Sequence, residues 1–295
     1  MSRTQSRAIR ADLDTAGVIV PIANGETILR REEREISILL ARDELTITHA
    51  RYAAGQQVAG PHIHYEHTDA FYILEGELTF EIGREANAVR VGAGGFIAAP
   101  PRVAHSFRND GDRPARWLTI HAHDGGCAAF MRGVRDGIEV GWDISAVPAD
   151  GGLPASHALV SPDPAGEHPA TWDQLCRLRC ALPDLRVVEW HLRGPRSVDV
   201  PLHHQESQVD SFLVIEGELE ATIAGTRETV GPGTLISAPR GVQHKLNRRA
   251  SGPARFLSLH TPNGGFAHQL RRGSGTRRNS PGRIPQSTAK QVSSR

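Results

Sequence analysis

Three histidines and one aspartate in the first half of the chain, His62, His64, Asp69 and His105, are residue types that hold a divalent transition metal. Three neutral imidazole nitrogens with one anionic oxygen suit Fe, Mn, Co, Ni, Cu or Zn about equally, so the set does not select one metal; one or two coordination positions stay open for water or substrate. The same order recurs in the second half as His203, Gln205, Asp210 and His244. His203, Asp210 and Gly217 lie 141 residues beyond His62, Asp69 and Gly76, and Pro239 and His244 lie 139 beyond Pro100 and His105. Similarity at a fixed offset marks a duplicated unit. It reaches past the ligands: residues 69–78 read as a close copy of residues 210–219, residues 114–121 match 253–260, and Gly125-Gly126 and Gly264-Gly265 close the two copies.

The second copy is the weaker metal set. Gln205 stands where the second histidine belongs, and its amide oxygen is a neutral, poorer ligand than imidazole for most transition metals. His204 does not substitute, because a strand neighbour points to the opposite face. A weak metal site, a ligand pocket without metal, and an ordinary buried hydrogen-bonded pair of Asp210 with His244 are the open readings.

Strands must position these residues. The segments 45–52, 70–82, 96–99 and 117–122, with 185–192, 212–223, 235–238 and 256–260 as counterparts, carry β-branched or aromatic residues separated by turn-formers. Alternation puts His62 and His64 on one face, Asp69, Phe71 and Ile73 on one face, and His105, Phe107 and Asn109 on one face. If these faces line one interior, the three imidazoles and the carboxylate converge. Short helices are expected at 126–134 and 266–272. Glu75-Gly-Glu77 and Glu216-Gly-Glu218 read as strand-end turns, in which glycine permits a backbone angle other residues avoid. His67 is expected in a turn or on the opposite face, exposed to solvent, and His49, His121 and His260 as satisfied core histidines.

Composition narrows the class. The 295 residues are enough for two domains, and 30 glycines and 19 prolines favour short strands and turns, an all-β protein. The formal net charge is +1, but Arg271 to Arg295 holds seven basic residues and no acid, which leaves the rest at −6. Such a body does not suit nucleic acid or a membrane surface. No apolar stretch has a secretory pattern or approaches the roughly 20 residues that span a bilayer, so a cytoplasmic protein is expected. Cys127, Cys176 and Cys180 are odd in number and lack zinc-site spacing, and reduced thiols are expected.

At these residues the sequence resembles the cupin superfamily, specifically the bicupins. His62, His64, Asp69 and Gly76 fit the family's first motif, with Asp in place of the usual Glu. Gly94, Pro100, His105 and Asn109 fit the second, and Arg102 stands where glycine is usual. In the second half Gly233, Pro239, Gly241 and His244 fit, while Arg248 replaces the terminal Asn. The resemblance implies two tandem cupin barrels, each a double-stranded β-helix or jelly roll, with few short helices. The expected layout is an N-terminal extension over 1–24, barrels over 25–135 and 166–272, a linker over 136–165, and a disordered basic tail over 273–295.

The resemblance to flavonol-cleaving bicupin dioxygenases implies one divalent metal in the N-terminal barrel, acting as Lewis acid and template. His62, His64 and His105 are its expected ligands, with Asp69 as ligand and proton acceptor. Phe71, Ile73, Phe80, Phe96 and Phe107 are candidates for an apolar wall around an aromatic or enolic substrate, flavonol-like or diketone-like, with dioxygen as co-substrate. A non-catalytic small-molecule binder, or a metal-dependent isomerase or decarboxylase, is the alternative, because cupins serve many functions on one fold. A monomer or a homodimer fits equally.

Overall fold

A computed structural model of the chain describes residues 16–161, 168–171, 174–193, 201–248 and 252–264. The chain divides into two compact units, Val20–Glu167 and a second composed of Met1–Ile19 with His168–Arg295. Each is a pair of antiparallel sheets, the duplicated architecture that the repeat implies.

In the first unit a seven-stranded sheet runs, in spatial order, Leu159–Ser161, Phe96–Ala99, Thr68–Glu75, Ala115–Ala122, Leu45–Tyr52, Arg34–Arg42 and Glu26–Arg30. Facing strands Gln56–His62, His105–Asn109, Glu77–Ile82 and Asn87–Gly92 form the second sheet. The second unit repeats the plan. Its large sheet runs Val18–Pro21, Thr234–Ala238, Val209–Glu216, Ala254–Thr261, Arg186–Leu192, Gln174–Ala181 and His168–Thr171, and its small sheet Thr226–Val230, Leu219–Ile223 and His244–Arg248.

Side-chain alternation makes each interior. In the first unit Tyr52, Phe71, Ile73, Leu78, Phe80, Ile82, Val91, Ile97, Phe107 and Trp117 fill one apolar core. In the second, Leu192, Val214, Leu219, Ile223, Val230, Ile236 and Phe256 do the same. The single α-helix among the described residues, Cys127–Asp136, follows Gly125-Gly126 as expected and buries Cys127 and Ala128. Its expected counterpart at 266–272, and the tail at 273–295, lie outside the described residues. Cys127, Cys176 and Cys180 are buried thiols. No helix among the described residues is long and apolar enough to cross a membrane.

Gly76 breaks the apolar run 70–82 into two strands. Its φ of 71° is in the left-handed region, and an added Cβ would lie 2.5 Å from the Pro114 carbonyl oxygen. Gly217 repeats this, with φ 74° and the Pro253 carbonyl 2.2 Å away. Arg102, the departure from glycine, holds φ 69°, close to the 77° of its counterpart Gly241. The backbone conformation of that turn is thus kept without the residue that adopts it most readily.

Much of the stretch expected as a linker belongs to the first unit. Ile63 and Ser145 exchange backbone hydrogen bonds of 3.0 Å, the Leu153 N–H donates to the Arg102 carbonyl, and Leu159–Ser161 pairs with Phe96–Ala99. At the other end, Val18–Pro21, expected as part of an extension, forms the edge of the second unit's large sheet, and Ile19 packs on that unit's core.

Candidate metal centre

His62 ends one strand and stands opposite His105, which begins the next. His64 lies two residues on, and Asp69 enters from the adjoining large sheet. All four are buried, and one ligand atom from each lies within 4.8 Å of the others.

The ring nitrogens show which atoms face the centre. Nδ1 of His62 donates to the Gly60 carbonyl at 2.8 Å, Nδ1 of His105 to the Val103 carbonyl at 3.1 Å, and Nδ1 of His64 to the Asp143 carbonyl. A carbonyl only accepts, so each Nδ1 carries the hydrogen and each Nε2 presents its lone pair to the cluster. His64 Nε2 and His105 Nε2 lie 3.2 and 3.4 Å from Asp69 Oδ2. Both nevertheless lack a hydrogen-bond partner, for with the hydrogen on Nδ1 each Nε2 lone pair faces an oxygen that also only accepts. Ligand atoms about 2.1 Å from a shared cation lie roughly 3.0–3.4 Å apart for octahedral or tetrahedral angles. The set fits a metal ion: the spacing is that of co-ligands, and the orphaned nitrogens are buried where an unmet polar atom is costly.

Electrostatics agree. Burial, followed by the neighbouring charge of His105, depresses His62 to about 4, which keeps its imidazole neutral at physiological pH. Burial alone would raise the Asp69 carboxyl, but His121 and His64 outweigh it and hold the group well below the usual range. His64 goes the other way: burial lowers it, but Asp69 and the Asp143 carbonyl outweigh that and raise it, so a cation bound at its Nε2 would have to displace a proton.

Around the four lies a shell the sequence reading did not find. The other oxygen of Asp69, Oδ1, lies 2.6 Å from His121 Nδ1 and 3.1 Å from His67 Nε2. His67 is therefore not exposed: it is fully buried between Asp69 and Asp143, with Nδ1 2.9 Å from Asp143 Oδ2. Asp143 also accepts from the backbone N–H groups of Tyr65, Glu66 and His67, so its carboxylate caps the turn between the ligand strands. The indole of Trp142 covers the same side, 5.0 Å from the His64 ring and 5.7 Å from that of His67. A tryptophan in a Gly- and Asp-rich stretch is a signal that the stretch is packed, since so large an apolar group is seldom left in water.

The apolar wall is smaller than expected. Phe71 reaches the site, its ring 6.1 Å from that of His105. Phe80 and Phe107 pack behind it with tilted rings at 5.1 and 4.8 Å and stack on each other, and Ile73 belongs to the same core. Phe96 is on the other face of the sheet. It stands opposite Tyr72, while Ile97 stands opposite the inward-facing Phe71.

In the second unit His203, Asp210 and His244 converge in the same way, with Nδ1 of the histidines on the Pro201 and Val242 carbonyls. Here His244 Nε2 lies 3.3 Å from Asp210 Oδ2 in hydrogen-bonding geometry, a bond that is made when both ring nitrogens carry hydrogen. Gln208 stands in the place of His67 and bonds Asp210 Oδ1 at 2.6 Å, and His260 does what His121 does, at 2.6 Å. Gln205 is half-buried, and its backbone carbonyl accepts from the Gly241 N–H.

Two separate segments, residues 48–121 and 193–260, match the model of the cupin domain. The chain is a two-domain cupin. Among solved structures, this bicupin is similar to a putative glyoxylate-induced protein from Pseudomonas aeruginosa (TM-score 0.60, 15% identity, 84% of this chain and 90% of that one). It is similar also to AerE from Microcystis aeruginosa (TM-score 0.57, 15% identity, 82% and 98%). A third is the oxalate decarboxylase of Lactobacillus farciminis, solved as a formate complex (TM-score 0.54, 9% identity, 85% and 88%). Identities this low establish the shared fold alone. No curated protein matches the bicupin in sequence.

Proposed function

We propose that this bicupin is a metal-dependent oxygenase whose chemistry occurs in the N-terminal barrel, on a small aromatic or enolic substrate of flavonol-like or diketone-like character. The observation that carries the reading is the pair of buried, unpartnered Nε2 atoms of His64 and His105 beside Asp69 Oδ2. A divalent cation held there supplies Lewis acidity and a template for a substrate oxyanion. His62, His64 and His105 hold the cation through nitrogens whose tautomers the Gly60, Asp143 and Val103 carbonyls fix. Asp69 turns Oδ2 to the centre, while His121 and His67 tether Oδ1, so the carboxylate is oriented as ligand and as acceptor of a substrate proton. Phe71 and Trp142 bound the cluster with aromatic surface and favour a planar, weakly polar substrate.

Oxygen uptake by the Fe-, Mn- and Ni-loaded protein, measured across flavonols, 1,3-diketones and catechols, tests this. The reading expects uptake with one class that Asp69→Asn abolishes. Turnover of an enol or carboxylate substrate without oxygen uptake indicates instead an isomerase or decarboxylase at the same site, and tight binding without turnover indicates a binding protein.

A further inference from the structure

At the level of the aspartate, one row of side chains runs across the large sheet of each barrel. In the N-terminal barrel Ala41, Thr46, His121, Asp69 and Ala99 stand opposite one another on successive strands. In the C-terminal barrel the row is Ala181, Arg186, His260, Asp210 and Ala238. Four of the five positions hold the same residue in both barrels, and the fifth is threonine in one and arginine in the other. Laterally paired residues share a face of the sheet. His260 bonds Asp210 within the cluster, so Arg186 is on the cluster's face, and it is 2% exposed. Burial lowers Arg186 to about 10, against the opposing pull of the Asp210 carboxylate beyond His260, so the guanidinium is still charged at neutral pH. Thr46, by contrast, is neutral and donates to Asp124 at 2.6 Å.

We infer that Arg186 is the resident cation of the C-terminal barrel, and that its presence keeps the His203–Asp210–His244 cluster free of metal. A carboxylate as buried as Asp210 needs a positive partner. In the N-terminal barrel, where the row holds neutral Thr46, a metal ion would add its charge to the histidines that already face Asp69. In the C-terminal barrel the row already holds a guanidinium beside the histidines that face Asp210, and it does not lose its proton at neutral pH to make way for a dication. The ligand set has changed in the same direction. Glutamines 205 and 208 replace the imidazoles of His64 and His67, and His244 Nε2, whose counterpart His105 Nε2 is unpartnered, is engaged by Asp210. Convergence of three ligand residues alone would admit a metal at this place; the added fixed charge and the lost imidazole exclude it. This conclusion does not depend on the reaction assigned to the N-terminal barrel.

Zinc titration and metal analysis in a His105→Ala background, where the N-terminal site is disabled, report on the C-terminal cluster. The His105→Ala protein should retain almost no zinc after gel filtration, and adding Gln205→His should leave it so. Adding Arg186→Thr to that pair, which reproduces the N-terminal row, should raise zinc affinity by at least about tenfold, the scale on which a ligand's surroundings act. Arg186→Lys, which keeps the charge, should remain metal-free. The inference is overturned if the His105→Ala or His105→Ala/Gln205→His protein binds one zinc tightly while Arg186 is intact, or if the folded triple variant gains no affinity. Should the triple variant fail to fold by circular dichroism, the Gln205→His comparison decides: full occupancy refutes the role of Arg186, and absence of zinc upholds it.

Discussion

Replacing Asp143 by alanine should loosen the N-terminal metal centre although Asp143 presents no side-chain atom to the metal. Its carboxylate accepts from the N–H groups of Tyr65 at 3.0 Å, Glu66 at 2.7 Å and His67 at 3.3 Å, and lies 2.9 Å from His67 Nδ1. Tyr65 and Glu66 are exposed, so water replaces the lost acceptor there at little net cost. His67 is fully buried, and its backbone N–H and ring nitrogen are left without that partner. At about 1–3 kcal/mol for each of the two buried groups stranded, the change should cost roughly 2–6 kcal/mol of stability. The same carboxylate holds residues 65–67 against the segment whose Asp143 carbonyl fixes the His64 ring, so metal affinity should fall about 10- to 100-fold. Urea denaturation of the metal-free protein measures the first quantity, and competition for zinc against a chromophoric chelator measures the second. Asp143→Asn, which keeps one acceptor oxygen, should fall between. If Asp143→Ala lowers stability by the stated amount but leaves metal affinity within about threefold of wild type, the carboxylate is a turn cap alone, and the coupling to the ligands is wrong.

Other consequences can be measured on the same protein. His62→Ala or His105→Ala should abolish metal retention, read by elemental analysis after mild purification, whereas His203→Ala should leave it unchanged; loss of all metal in His203→Ala would reverse the ranking of the two sites. Burial, then the charge of Arg116, lowers His49 to about 4, so the unfolded chain takes up a proton near 6.5 that the folded one refuses. Stability is lost as pH falls from about 6.5 towards 4, by up to about 3 kcal/mol, and His49→Gln should flatten that part of the stability–pH curve. Gly76→Ala places a Cβ against the Pro114 carbonyl at an unfavourable φ and should cost about 3 kcal/mol or more by chemical denaturation, with the metal ligands untouched.

The repeat made the two-barrel plan legible, because residues that must converge recur with their spacing while the rest of the surface is free to change. Strand parity correctly joined His62 with His64, and the motif order supplied His105 and Asp69. Parity also contained a missed signal: His67 and Asp69 are two residues apart and Asp69 faces inward, so His67 belonged on the same side. An exposed turn at His67 is incompatible with that parity. Phe96 was misplaced for the opposite reason. Residues 96–99 are all apolar and buried, and a strand covered on both faces carries no alternation from which to read direction. Trp142 and Asp143 were hidden because their role exists only through contacts with residues some 76 to 79 positions earlier. The row that distinguishes Thr46 from Arg186 likewise depends on strand pairing, which no single strand's sequence contains.

The most direct measurement is anomalous diffraction at the metal absorption edge, from crystals of protein purified without chelator. One peak in the N-terminal barrel, about 2.0–2.3 Å from Nε2 of His62, His64 and His105 and from Asp69 Oδ2, is the expected result. A fully folded chain with no peak there, or with its metal held by other residues, would contradict it.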